Sequence, residues 1–124
     1  MAFRYSTVFV AIAEGQGHNL SAFYQALFNQ RPAIDIPQVY TEFELLGARL
    51  GIFKPKATHL GEFAAPSSGG MSLCLEVENL EAAIAHLNEL GYPPPGQIQQ
   101  VSHGREIYAY DPCGNRLILH ESKQ

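Results

Sequence analysis

The chain has 124 residues, no tryptophan, only two cysteines, and charged side chains at just 16% of positions. Cys74 and Cys113 allow at most one disulfide and belong to no CxxC pair. That argues against a zinc knot, a thioredoxin-type motif or a disulfide scaffold, and both are expected to be reduced packing or turn residues. Lysine and arginine number eight against twelve aspartates and glutamates, a net charge of -4, and form no run able to neutralise several phosphates. Nucleic acid is therefore not an expected partner. No apolar stretch approaches the length of about 18 residues that a membrane span needs. Met1-Ala2-Phe3-Arg4 leads into a strand-like segment rather than the apolar core of a signal peptide. The expectation is a protein without a membrane partner, in the cytoplasm.

What is present is apolar enough to fold. At 46% hydrophobic residues the chain is no disordered tail, and its length suits one domain that buries roughly two thirds of its unfolded surface. Tyr5 to Ala13 is rich in β-branched and aromatic residues and predicts a strand. Leu20, Phe23, Tyr24, Leu27 and Phe28 then recur at helical spacing, with His18 or Asn19 near the start and Arg31-Pro32 as the stop.

Tyr40 to Lys54 alternates in polarity on both sides of Leu46-Gly47 and predicts a hairpin. With Leu45 opposite Ala48, one face carries Phe43, Leu45, Leu50 and Ile52, and the other carries Tyr40, Glu42, Glu44, Arg49, Gly51 and Phe53. The first face belongs under a helix. The second is polar with aromatic edges, as a ligand-facing surface would be.

After a loop rich in Gly, Pro and Ser over 61–70, the pattern begins again. A strand is expected over 71–77, then a helix from the N-cap Asn79 through Leu80, Ala83, Ile84, Leu87 and Leu90 to Gly91 and Pro93-Pro94-Pro95. Further strands are expected at 98–101, 105–110 and 116–121, with turns at Ser102-His103-Gly104 and Asp111-Pro112-Cys113-Gly114-Asn115. The chain thus reads as one domain, 1–124, made of a module over about 1–60 and another over about 70–124. Neither could bury its sheet alone.

Four segments in this order carry a resemblance: Ser21 to Phe28 after the first strand, Gly47 to Phe53 closing the first half, Leu75 to Ala83 opening the second helix, and Asp111 to Asn115 before the last strand. Over nearly its whole length the chain resembles the glyoxalase, bleomycin-resistance protein and dioxygenase (vicinal oxygen chelate) superfamily. The resemblance implies an α+β fold of two βαβββ modules forming a curled mixed sheet around a cavity, and often a homodimer. It also implies, in the enzymes, a divalent metal held by one side chain from the first and last strand of each module, to which a two-oxygen substrate chelates. Carried over to this chain, those positions fall on Thr7, Gly51, Ser72 and Ile118, none a usual ligand. One-residue slips offer Ser6 or Val8, Leu50 or Ile52, Met71 or Leu73, and Leu117 or Leu119, and none restores the site. No metal and no cofactor are expected there.

The five histidines do not form a ligand pattern: His18, His59, His86 and His103 are read as exposed or capping residues. His120 shares the strand face of Ile118 by period two and is kept as a rim contact. Glu42, Glu44 and Arg49 share the predicted cavity face, and Glu42 is a candidate base, a partner for a cationic ligand, or an ion-pair partner of Arg49. The alternative for these residues is an exposed Glu44–Arg49 pair. Arg105 is a candidate for an anionic group on the ligand or a surface residue. Phe9, Tyr40 and Phe53 could stack on a planar ligand or merely pack. Asp111 to Asn115 is read as a structural turn, and Gly69-Gly70 as a hinge rather than a phosphate loop.

The expected function is a metal-independent small-molecule binding protein, resembling the bleomycin-resistance group, with Thr7, Phe9, Tyr40, Glu42, Glu44, Arg49, Phe53, Ser72, Arg105, Ile118 and His120 around its ligand. The alternative is a lyase, isomerase or dioxygenase-like enzyme that uses Glu42 as a base or a relocated metal site, with ligands such as Glu42, Glu44 and His120.

Overall fold

In the computed structural model, which describes residues 3–15 and 17–123, the chain forms two βαβββ modules. The first runs β1 (Val10–Ala13), α1 (Leu20–Phe28), β2 (Ile34–Ile36), β3 (Tyr40–Leu45) and β4 (Ala48–Phe53). The second runs β5 (Leu73–Glu76), α2 (Leu80–Leu90), β6 (Gln99–Val101), β7 (Gly104–Tyr110) and β8 (Arg116–Ser122). The sheets have the same topology, β1-β4-β3-β2 and β5-β8-β7-β6. In each, the first strand lies parallel to the last and the remaining pairs are antiparallel. The α+β architecture is the expected one, with its curled sheet divided into two separate four-stranded halves.

Local chemistry sets the boundaries. Asn19 and Asn79 accept from the backbone N–H of Ala22 and Ala82, capping the two helices. Asn29 and Gly91 close them in left-handed conformation. The hairpin has the register expected from its alternation, Leu45 opposite Ala48 through Tyr40 opposite Phe53. The turn between them places Gly47 at φ +89°, a conformation that a side chain would strain.

Phe43, Leu50 and Ile52 of one sheet, Ile107, Ala109, Leu117 and Leu119 of the other, and Leu20, Phe23, Tyr24, Leu80 and Leu87 of the helices form a single buried cluster. Both helices lie inside it, so each sheet turns its other face away from the core. His86 tightens this contact: from α2 its Nε2 reaches the carbonyl oxygens of Ala26 and Leu27, 3.1 Å each, at the C-terminal end of α1. It is a cap on the neighbouring helix rather than a free surface residue.

Two expectations need correction. The first strand was expected from Tyr5, yet β1 begins at Val10, which pairs with Leu50 in a β4 that itself begins at Ala48. Residues before Val8 therefore run past the end of the partner strand, and Phe3, Tyr5 and Val8 are exposed. β2 was not expected at all: three residues beside a proline carry no readable period, and pairing with β3 alone makes them a strand. Among the described residues no helix is long and apolar enough to cross a membrane.

Candidate functional site

The outward face of module one is built by strand parity. Leu50 and Ile52 point to the core, so Arg49, Gly51 and Phe53 point away, beside Tyr40, Glu42 and Glu44 of β3 and Phe9 and Ala11 at β1. At its centre Glu42 is only 6% exposed. Tyr40 donates its hydroxyl proton to Glu42 Oε1 at 2.7 Å, and Arg49 lies 3.6 Å from Oε2. The guanidinium also donates to Thr7 Oγ1 at 3.3 Å and stands 5.4 Å from the centre of the Phe9 ring.

Tyr40 lies across Gly51. A Cβ at Gly51 would strike the Tyr40 hydroxyl and come within 2.9 Å of its Cε1 and Cζ, so the ring covers this glycine. Burial, followed by the hydrogen bond to Glu42, pushes the Tyr40 phenol up to about 12. The hydroxyl therefore stays protonated and donating across the neutral range.

The sequence left Arg49 two partners, Glu42 or an exposed Glu44. Glu44 is directly opposite Arg49, but the guanidinium takes the diagonal Glu42 instead, because Glu44 is exposed and Glu42 is desolvated. Phe53 packs edge-on against Phe63 at 5.4 Å.

In module two the outward face carries Glu76 of β5, Ile118 and His120 of β8, and Glu106 and Tyr108 of β7, as the pairing requires. Arg105 is not on it. It shares parity with Ile107 and Ala109 and faces α2, where it holds Glu81 at 2.8 Å and Glu121 at 2.8 Å. Its donors are committed there, and the expected anion contact is corrected to a structural clamp. Hydrogen bonds from Arg105 hold the Glu81 carboxyl at about 2, and Glu121 is lowered by the Leu80 N–H and then by Arg105.

Both folded-state values lie below the unfolded ones, so this clamp stabilises the fold above about pH 4.5 and is lost as pH falls toward 2. Urea unfolding between pH 5 and 2 should therefore show a smaller acid loss in Arg105→Met than in the parent chain. Equal losses would contradict the clamp.

A cavity of about 640 Å³ opens between β1 and the start of β5, beneath the segment over 57–68. It brings together Ala11, Ala13, His18, Phe63, Ser72, Cys113 and Arg116. The volume suits an organic ligand. Ala11 pairs with Gly51 and lies two residues from Phe9, so the cavity adjoins the Tyr40–Glu42–Arg49 cluster. Of the residues read from sequence only Ser72 lines it; Tyr40 and Phe53 border a separate cavity of about 370 Å³ behind β3. The larger cavity went unread because loop residues such as Leu60, Phe63 and Pro66 complete it, and they carry no period. Burial raises the Cys113 thiol, which keeps it protonated and unreactive.

The chain superimposes on solved structures along nearly its full length. A glyoxalase/bleomycin resistance protein from Catenulispora acidiphila matches at 21% identity and TM-score 0.66, over 94% of this chain and 97% of that one. The chain has the glyoxalase/bleomycin resistance fold. Within that fold it is also similar to TnmS3, an antibiotic binding protein from Streptomyces, at 22% identity and TM-score 0.73 over 98% and 100% of the two chains. The fosfomycin resistance protein FosX of Listeria monocytogenes matches at 16% identity and TM-score 0.72, over 98% and 94%. No protein-family model and no curated protein matches the sequence.

The positions where the superfamily resemblance would put a metal do not fit one. Thr7 is exposed and accepts from Arg49, Gly51 is covered by Tyr40, Ser72 Oγ accepts from Arg116 Nε at 2.6 Å, and Ile118 is aliphatic. Two hydroxyls already in use, with no imidazole, thiolate or carboxylate, make no ligand set for a divalent ion.

Proposed function

We propose that the chain is a small-molecule binding protein that takes a planar organic ligand without a metal at the four positions above. The observation that carries this reading is the Tyr40–Glu42–Arg49 cluster. It covers the Gly51 position and engages Thr7 with groups that satisfy one another, and it leaves the Phe9 ring, 46% exposed, as a stacking platform two residues from Ala11 of the 640 Å³ cavity. Glu42 accepts from a phenol and faces a guanidinium, which suits a fixed acceptor better than a free base. The antibiotic binding protein TnmS3 shows that a binder can be built on this fold.

The ligand site is completed by a second copy of the chain. Phe9, Ile34, Ile36, Met71 and Tyr108 are exposed along the outward faces and edges of the two sheets, apolar surface that a second copy would cover. A homodimer that covers them gives the platform its second wall.

A thermal-shift screen of planar aromatic compounds, neutral and cationic, identifies a ligand. Phe9→Ala should then weaken it about tenfold or more with little change in unfolding temperature. Glu42→Gln should weaken it while the protein stays folded. Unchanged affinity in both variants would remove this face from the site.

A further inference from the structure

Outside this cluster, the far end of module two brings four metal-compatible side chains together. The ladders place Glu76 beside His120 and His120 beside Glu106 on adjacent strands, and His103 reaches over from the β6–β7 turn. The His103 and His120 rings stack at 4.6 Å, and His103, Glu106 and His120 each present a ligand atom within 4.8 Å of the others.

The state of His120 is the telling detail. Its Nδ1 lies 2.6 Å from Glu76 Oε1, and Glu76 Oε2 is held by the Ser122 backbone N–H at 2.8 Å and its hydroxyl at 2.6 Å. A carboxylate anchored in this way accepts a hydrogen bond from Nδ1–H, the tautomer in which the neutral ring carries its lone pair on Nε2. That Nε2 is buried and has no hydrogen-bond partner among the described residues, in a side chain only 12% exposed. Native structures rarely bury an acceptor without a donor. A carboxylate that orients an imidazole so that its other nitrogen faces a ligand position is the arrangement that supports metal-bound histidines.

We propose that His103, Glu106 and His120 bind a zinc-class divalent cation, with Glu76 as the positioning residue behind His120. Two imidazoles and one carboxylate favour zinc over magnesium or calcium, which prefer all-oxygen shells. Bonds of about 2.0–2.2 Å in tetrahedral geometry put donors roughly 3.3 Å apart, so the group must close slightly. His103 supplies that closure: it is exposed on a turn, and its Nδ1 lies 3.2 Å from Ser102 Oγ, leaving Nε2 to bind. Three protein ligands leave a fourth position open toward the outward face of module two. The site stands one ladder step beyond Ile118, about 7 Å along the strand, and rests on none of the residues of the proposed ligand platform.

The test is calorimetric titration of tag-free protein, stripped with chelator and dialysed, with zinc chloride alone and with magnesium chloride alone. One zinc per chain and no magnesium is expected. His103→Ala and Glu106→Gln should each weaken zinc at least tenfold, Glu76→Gln by about 10- to 100-fold, and Cys74→Ser not at all. His103 is exposed, so its variant keeps the fold, which circular dichroism verifies. Imidazole ¹⁵N shifts should move at Nε2 of His103 and His120 when zinc is added. The absence of saturable zinc binding, or equal affinity in His103→Ala and Glu106→Gln, would overturn the site.

Discussion

Asp111→Ala is expected to destabilise the fold by about 3–5 kcal/mol and lower the unfolding temperature by on the order of 10–20 °C. Asp111 is buried, and its carboxylate accepts from the Tyr24 hydroxyl at 2.6 Å, the backbone N–H groups of Cys113 and Asn115, and the Asn115 side chain. The alanine leaves a fully buried Tyr24 hydroxyl with no acceptor and unlocks the turn between β7 and β8. Because Tyr24 belongs to α1, the same bond joins the two modules. Burial and then the Asp111 charge push the Tyr24 phenol far above its ordinary value, so this donor never ionises while the protein is folded. Tyr24→Phe removes one donor and leaves Asp111 three others, and should cost only about 1–2 kcal/mol. Urea unfolding of both variants checks the ranking, and an Asp111→Ala loss below that of Tyr24→Phe would contradict it.

Gly51→Ala is expected to destabilise by about 1–3 kcal/mol, although alanine ordinarily suits a strand better than glycine. The cause is the Tyr40 ring, which a new Cβ would strike. In a Tyr40→Ala background the same change should cost nothing or become mildly stabilising, a coupling of about 2 kcal/mol in a double-mutant cycle. Additive effects would mean that Tyr40 does not rest on Gly51, and the explanation for the lost metal position would fall with it.

Strand parity made much of this legible beforehand. The hairpin register followed from alternation around Leu46-Gly47, and with it the placement of Tyr40, Glu42, Arg49 and Gly51 on one face. Helix ends were readable from Asn19, Asn79 and Gly91, whose side chains or lack of one act locally. Arg105 was misplaced although the signal existed: it has the parity of Ile107 and Ala109, which face the core. The His103–Glu106–His120 group was missed for a different reason. Pairing Tyr110 with Arg116 across the Asp111–Asn115 turn already sets Glu106 opposite His120, but only the three-dimensional path of the β6–β7 turn brings His103 over them. The choice of Glu42 over Glu44 by Arg49 depended on burial, which residue spacing does not encode.

The account turns on a ligand held by the Phe9 face with no divalent metal at the positions of Thr7, Gly51, Ser72 and Ile118. The direct measurement is calorimetric affinity for the first ligand from the screen, with and without excess EDTA. Equal affinity in the two conditions is the predicted result. Loss of binding on chelation, seen alike in the parent chain and in His103→Ala, would contradict it.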